Sequence, residues 1–347
     1  MFDTLIFNNL YFESVFLIIV FILINIILKK NLILLDNVES SVHKKKVFSN
    51  LRTPLSGGLL FIIFFSIYFF KYNFNLVIFL FLMYLIGIMS DLNFVKSPKV
   101  RIFFQTFLVL IYIIFTQTQI ITLSIPAIDN LLKNYYINIF FVTFCILILV
   151  NGYNFIDGIN TLVIGNFILF VGSILILANQ NYLSVDYNFL YLILFIFLII
   201  FCFNLIGKSF LGDSGSYCIG FLISIIAISF AYNNLDKVSP YYIAVLLWYP
   251  AFENLFSIIR RIINKKKLSD PDSKHLHQLI YLYLSEKVII NNKLYLNSLT
   301  GIIINFFQMI SIFISFFIYA HTISLVILIL ANISTYLLLY FYLYKKY

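Results

Sequence analysis

Charge is scarce in this chain. Lys, Arg, Asp and Glu make up 11% of its 347 residues, and only 14 residues are acidic. A soluble domain carries about 25% charged residues, so the shortage excludes an ordinary water-soluble fold. Polar linkers of domain length are missing too, and 1–347 reads as one domain. No Lys or Arg precedes Lys29. A secretory signal needs a positive start, so the first apolar stretch is expected to be a retained span rather than a cleaved signal. Cysteine is nearly absent: Cys145, Cys202 and Cys218 lie in apolar runs, at spacings that suit neither a metal site nor a disulfide framework. They are expected to pack in the core or against lipid.

What fills the chain is hydrophobic residues, 62% of the total, with a mean hydropathy of +1.01. They come in runs such as 16–28, 190–206 and 221–232. A membrane span takes roughly 20 helical residues. The expected fold is therefore all-α, a polytopic transmembrane protein of eleven spans. These lie near 9–28, 55–71, 74–90, 102–124, 137–152, 161–178, 188–206, 215–232, 241–259, 298–318 and 323–343. Lys and Arg mark the cytoplasmic side. With the N-terminus outside and the C-terminus inside, 20 of the 23 basic residues fall in inside loops, and only Lys71, Lys133 and Lys237 stay outside. Most of the net charge of +9 is then a cytoplasmic surface. It serves insertion, or also attracts an anionic headgroup or substrate.

The same orientation sorts the polar loops. Outside loops hold turn formers and scattered charge. Inside segments (29–54, 90–101, 151–160, 207–216 and 260–297) hold RTPLSGG, SDLNFVKSPKVR, NGYNFIDGIN, FLGDSGS and SDPDSKHLHQLIY. Asp91, Asp157 and Asp213 are hard oxygen donors of the kind magnesium takes one or two at a time, leaving its other positions to water and phosphate. Glycines such as Gly57, Gly58, Gly212 and Gly215 let backbone approach phosphate. Lys96, Lys99, Arg101 and RRIINKKK supply positive charge. His275 and His277 are two apart, so on one helix they diverge, and in an extended segment they converge. Zinc helices favour a spacing of four, so a zinc site is a poor fit. The set suits metal-assisted phosphoryl transfer at the cytoplasmic surface.

Each feature also has a plainer reading. Asp213 is placed to be the N-cap of the span that starts near 215. Asp157 before Gly158 suits a turn. KHLHQ suits a solvated loop, RRIINKKK the insertion signal, and His321 an outside turn. Glu253 beside Pro250 is either structural or neutralises Arg260 or Arg261.

NGYNFIDGINTL, FLGDSGSYCIGF and YPAFENLFSIIRR…PDSKHLHQLIY, in that order, resemble the polyprenyl-phosphate N-acetylhexosamine-1-phosphate transferases. RTPLSGG is similar to that family's TPxxGG segment. SDLNFVKSPKVR stands where the family has an Asp-Asp pair followed by S-x-K-x-R. The resemblance covers about 45–285. It implies that a membrane polyprenyl phosphate such as undecaprenyl phosphate attacks a UDP-linked N-acetylated sugar, releasing UMP and starting a lipid-linked glycan. The cofactor implied is Mg2+, or Mn2+ in its place. By resemblance Asp213 is the principal metal ligand, with Asn154 as its partner. Asp157 and Asn151 line the nucleotide side, Lys99 and Arg101 hold phosphate, and His275 and His277 contact the diphosphate or sugar. Thr53, Gly57 and Gly58 shape the rim. Asp91 positions the lipid phosphate rather than acting as an obligatory base, because a phosphate monoester with a second pKa of about 6 is already ionised.

Two departures stand out. Ser90 replaces the first of the paired aspartates, and Asn160 stands where bacterial members often have Asp, although the eukaryotic dolichol branch also has Asn there. The KHLHQ motif resembles O-antigen-type (lipopolysaccharide) initiating transferases more than the muramoyl-pentapeptide enzyme of peptidoglycan synthesis, which is the runner-up. A flippase or transporter, and an inactive family member, are the readings from other classes. The expected setting is the bacterial inner membrane, with no nucleic-acid partner and the protein alone or as a homodimer.

Overall fold

The computed structural model describes residues 4–31, 33–36, 53–265, 274–288, 290 and 292–347, with side chains from Val15 onward. Most of the expected inside loop 29–54, and 266–273 of the loop 260–297, lie outside the described residues. The described residues form thirteen α-helices and a single isolated β-bridge, Leu35 to Pro54. In chain order these are α1 (Thr4–Asn31), α2 (Gly57–Phe69), α3 (Phe74–Asp91), α4 (Pro98–Thr116), α5 (Pro126–Leu132), α6 (Tyr135–Ile156) and α7 (Leu162–Asn181). Then come α8 (Tyr187–Leu205), α9 (Gly212–Asn233), α10 (Pro240–Ile263), α11 (Leu276–Lys287), α12 (Lys293–Ile318) and α13 (Thr322–Lys346).

Every expected span falls on one of these helices. Nine of them, α3, α4, α6 to α10, α12 and α13, are long and apolar enough to cross a membrane among the described residues, while α2 is shorter. The chain is a multi-pass helical membrane protein. Local chemistry sets many ends. Asn134, Asp186, Ser239 and Asn292 accept backbone N–H bonds at the starts of α6, α8, α10 and α12. Pro98 and Pro240 open α4 and α10, where the missing N–H costs nothing.

Burial separates an inner set from an outer one. In α9 78% of the apolar window is buried and in α7 72%, against 17% in α13. So α9 runs through the centre, and α13 offers its side chains to lipid. Close backbone approach makes this possible. A Cβ on Gly220 of α9 would lie 2.6 Å from Val150 Cα of α6.

Several expected boundaries are corrected. The span expected at 102–124 is α4, which starts at Pro98 and stops at Thr116, where Gln117 turns left-handed at φ 53. Lys99 and Arg101 are therefore in a first helical turn, not in a loop. The span expected to end at 152 runs to Ile156, so Asn151 and Asn154 are helical. The span expected at 215 begins at Gly212 and takes Asp213 into its first turn. The loop 260–297 contains α11. At α6 and α9 polar residues continue the helix because side chains of neighbouring helices meet them there, so side-chain polarity does not mark where the helix stops.

Candidate active site

The short segments preceding α2 and α9 are tied together through backbone. Phe210 N–H donates to Pro54 O (3.0 Å), and Gly57 N–H donates to Phe210 O (2.9 Å). Ser56 and Ser209 hydroxyls lie 2.8 Å apart, and Thr53 donates weakly to Gly207 O at 3.4 Å. RTPLSGG thus braces FLGDSGS. Gly57 and Gly58 are not at an open rim: both are buried, and a Cβ on Gly58 would lie 2.5 Å from Gly215 N. Their smallness serves a helix contact, which corrects the expected role.

A third segment completes the start of α9. Asp91, the last residue of α3, accepts Asp213 N–H on one oxygen (2.9 Å) and Ser214 N–H on the other (3.0 Å). These are two of the N–H groups that a helix start leaves unpaired. Asp91 is therefore the cap of α9, supplied from another helix. The cap reading of Asp213 is overturned: the N-cap residue is Leu211, and Asp213 lies inside the first turn. Gly212 makes the turn possible, at φ +71 with the Asp91 carboxylate where a Cβ would stand. Gly87, one turn before Asp91, has the Ser214 backbone directly over it, so α3 and α9 touch there.

With its backbone held, Asp213 turns its carboxylate toward three partners. Arg101 Nη1 donates to Oδ2 at 2.6 Å, Ser90 Oγ donates to the same oxygen at 2.5 Å, and Asn154 Nδ2 donates to Oδ1 at 2.7 Å. Arg101 also reaches Ser90 Oγ (2.7 Å) and Tyr217 OH (3.3 Å), and Asn154 reaches Ser216 Oγ (3.1 Å). Residues of α3, α4, α6 and α9 therefore converge on one carboxylate. The Arg101 and Asp213 side chains remain 22% and 28% exposed. Ser90, the departure from the family's paired aspartates, is a hydrogen-bond bridge between them. Lys99 is exposed at the rim.

The donor set fits a hard cation. Asp213 Oδ1 takes one donor, and a carboxylate has room for about four. The Ser90 hydroxyl is adjacent, and the Asn154 amide would offer its oxygen after a half-turn. Among the described residues no three His, Cys, Asp or Glu side chains gather into a metal centre. That suits magnesium, which uses few protein ligands and leaves positions for phosphate.

Asn151, one turn before Asn154, donates to Gln105 Oε1 (3.2 Å) and Leu147 O (2.9 Å). Asp157 caps the end of α6 and lines a cavity of about 40 Å³ with Asp36, Gly158, Asn160 and Gly212. A larger cavity, about 620 Å³, lies at the far end of α9 beside Ile226, Phe230 and Asn233, away from these residues. Asn160 faces α12 by its amide: Nδ2 donates to Ser298 Oγ (3.4 Å), and its own N–H donates to Asn297 Oδ1 (2.7 Å). An Asp there would put an unneeded charge in a buried amide and hydroxyl network.

The histidine motif meets the same turn of α6 from the other side. His275 precedes α11 in extended conformation and His277 is inside it. Being off the helix frees His275 to align, and the two rings stack at 5.4 Å and 9°. Phe155 lies 5.5 Å from the His275 ring, and a Cβ on Gly158 would lie 2.9 Å from His277 Nε2. Both histidines are buried, which corrects the solvated-loop reading of KHLHQ. His275 Nδ1 is 2.9 Å from Glu253 Oε1, and Tyr336 donates to the other Glu253 oxygen at 2.6 Å. Arg260 donates to Lys274 O (2.6 Å) and Tyr340 OH (2.7 Å) and is buried. It is thus more than an insertion signal. All three cysteines are free thiols.

Sequence reasoning misses several participants. Gln105 and Arg101 are one turn apart on α4, and Gln105 Nε2 and Arg101 Nε are buried donors with no hydrogen-bond partner among the described residues. Gly87 and Asp36 have no local signal. Tyr217 follows FLGDSGS and could be found only from its helical register.

Residues 73–231 match the family described as glycosyl transferase family 4. That stretch contains α3 through nearly all of α9, and with them Asp91, Arg101, Asn154 and Asp213. The chain is 26% identical over 205 residues to a protein of Bacillus subtilis (strain 168) named probable undecaprenyl-phosphate N-acetylglucosaminyl 1-phosphate transferase. The match covers 58% of this chain and 56% of that one. It is 36% identical over 73 residues to the undecaprenyl-phosphate alpha-N-acetylglucosaminyl 1-phosphate transferase of Thermotoga maritima, covering 21% of this chain and 23% of that one. The chain thus spans about half the length of the first relative and about a quarter of the second. The stretch that matches the family model, a little under half of the chain, carries every side chain that meets Asp213.

Proposed function

We propose that the protein transfers an N-acetylhexosamine-1-phosphate from a UDP-sugar to undecaprenyl phosphate, releasing UMP and leaving a lipid diphosphate sugar. The observation that carries this reading is the convergence of Arg101, Ser90, Asn154 and Asp91 on Asp213. The names of the two relatives favour N-acetylglucosamine as the sugar. The setting is the bacterial inner membrane, where the acceptor lipid would reach the site from the bilayer.

Phosphoryl transfer asks the protein mainly for position and charge neutralisation. Asp213 and Asn154 would hold magnesium, which when bound supplies the positive charge that a diphosphate needs. Arg101 has a buried Nε still unpaired and can turn it to a phosphate oxygen while Nη1 keeps Asp213 in place. Lys99, exposed in the same helical turn, meets phosphate at the membrane surface. Asp91 spends both oxygens on backbone N–H groups, which suits support of α9 rather than proton removal. A base is not needed, because the attacking phosphate is already ionised at neutral pH. Asp157 and Asn151 flank Asn154 on the nucleotide side, and His275 and His277 approach the diphosphate or sugar from α11.

The test is UMP release by the purified protein supplied with undecaprenyl phosphate, Mg2+ and a panel of UDP-sugars. Release that depends on the lipid phosphate supports the reading. No release with any sugar overturns it.

A further inference from the structure

Gln105 is out of keeping with its surroundings. It is the first of five buried residues on α4, and the others are Leu108, Val109, Tyr112 and Ile113. Gln105 is 0% exposed, yet its Nε2 has no hydrogen-bond partner among the described residues. A buried donor left unpaired costs about 1–3 kcal/mol. A methionine of similar reach would fill the place without that cost, so stability does not explain a glutamine here.

Its oxygen does have a partner. Asn151 Nδ2 donates to Gln105 Oε1 at 3.2 Å and to Leu147 O at 2.9 Å. A backbone carbonyl only accepts, so the group of Asn151 between these two is the NH2, and the group of Gln105 that faces it is the oxygen. Both hydrogens of the Asn151 amide are thereby engaged. Its Oδ1 meets no donor among the described residues and is not enclosed. Asn154, which holds Asp213, lies one turn further along the same face of α6. Gln105 likewise follows Arg101 by one turn on α4. Two rungs thus join α4 to α6: Arg101, Asp213 and Asn154 form the first, and Gln105 with Asn151 the second, one turn deeper in the bundle.

We propose that Gln105 is a positioning residue: it holds the Asn151 amide with its hydrogens turned inward and its oxygen presented to the bound nucleotide sugar. Asn151 then serves as an acceptor, for a hydroxyl, an N–H or the cation of that complex, and not as a donor to phosphate. Ionised phosphate oxygens only accept, and they are left to Arg101 and Lys99. This rests on the transferase reading, in which Asn151 lines the nucleotide side. A purely structural glutamine would join α4 to α6, and its loss would lower stability and activity together.

The test uses the full-length protein, with UMP release and melting temperature measured side by side for Gln105→Met, Asn151→Ala and the combined variant. Gln105→Met removes the acceptor and the unpaired donor together. It is expected to lose about 10-fold or more in kcat/KM for the UDP-sugar, the scale of a group that orients a reacting one. Its melting temperature should be no lower than that of the wild type. Asn151→Ala should lose at least as much activity, and the combined variant no more than Asn151→Ala alone, because the glutamine acts through the asparagine. A raised Mg2+ requirement in Asn151→Ala would place the oxygen on the cation, and an unchanged one on the nucleotide sugar; both support the acceptor role. A Gln105→Met protein that fails to fold, or melts lower in step with its loss of activity, has lost a structural glutamine and overturns the proposal. Wild-type rates in Gln105→Met, or losses that multiply in the combined variant, overturn it as well. If Asn151→Ala turns over normally while the wild type is active, the proposal falls and the transferase reading stands. If the wild type releases no UMP with any UDP-sugar, both fall.

Discussion

The Asp213 cluster and the Glu253–His275 cluster meet the same turn of α6, through Asn154 and Phe155, but they are built in opposite ways. Around Asp213 four helices contribute polar side chains, and the Arg101–Asp213 pair is open to solvent by more than a fifth on each side. Around His275 the acid is sealed, and the neighbours are rings: Phe155, Tyr336, and Phe256 and Tyr340 flanking Arg260. The difference is between charge kept where a ligand can reach it and charge enclosed by its buried partners. A pair that keeps part of its surface in solvent can exchange a partner for an incoming ligand. A sealed pair cannot, because breaking it strands a buried charge at about 3–5 kcal/mol.

Substitutions should probe this contrast in a graded way. Asp213→Ala is expected to lower UMP release on the order of 100- to 1,000-fold, the scale of removing one directly placed electrostatic group. Its melting temperature should fall far less than its activity, because solvent can reach the donors that the carboxylate leaves behind; a thermal melt beside the assay checks both. Gly87→Ala puts a methyl group into the Ser214 backbone. Overpacking of that kind costs about 1–3 kcal/mol, so melting temperature and activity should fall together. Asp91→Asn replaces one of two acceptors with an amide donor facing a backbone N–H. It should cost about 1–3 kcal/mol and loosen the start of α9, read as faster amide hydrogen exchange at Asp213 and Ser214. Lys99→Ala should have the smallest effect, a modest rise in KM for the lipid phosphate that disappears at high salt, because exposed charges are screened.

How much of this is legible in the sequence differs between the two clusters. The spans are legible because an apolar run of membrane length rarely forms anything but a membrane helix, and each expected span coincides with a helix. The Asp213 side is legible as residue types: Asp91, Arg101, Asn154 and Asp213 stand out as polar groups in a chain that avoids them. Their partnership is not, because it depends on helix ends. Asn154 meets Asp213 only because α6 runs on to Ile156, and Asp91 caps α9 only because Gly87 lets the two helices touch. The second cluster is less legible still. Glu253 stands out as an acid in an apolar helix, but its partner is 22 residues on, across a polar segment, and Tyr336 is 83 residues on. Sequence suggests Arg260 or Arg261 as the counter-charge. In the fold Glu253 takes the ring and the phenol, while Arg260 holds a backbone carbonyl instead.

If Asp213 is the group around which the transfer is built, its removal should stop turnover without unfolding the protein. The decisive assay is UMP release from UDP-N-acetylglucosamine with undecaprenyl phosphate and Mg2+, comparing the wild type with Asp213→Ala at equal folded concentration. Lipid-dependent release by the wild type and near-complete loss in the variant, with the variant still folded by its melt, are expected. Near-wild-type release by Asp213→Ala would show that the transfer is built around some other group.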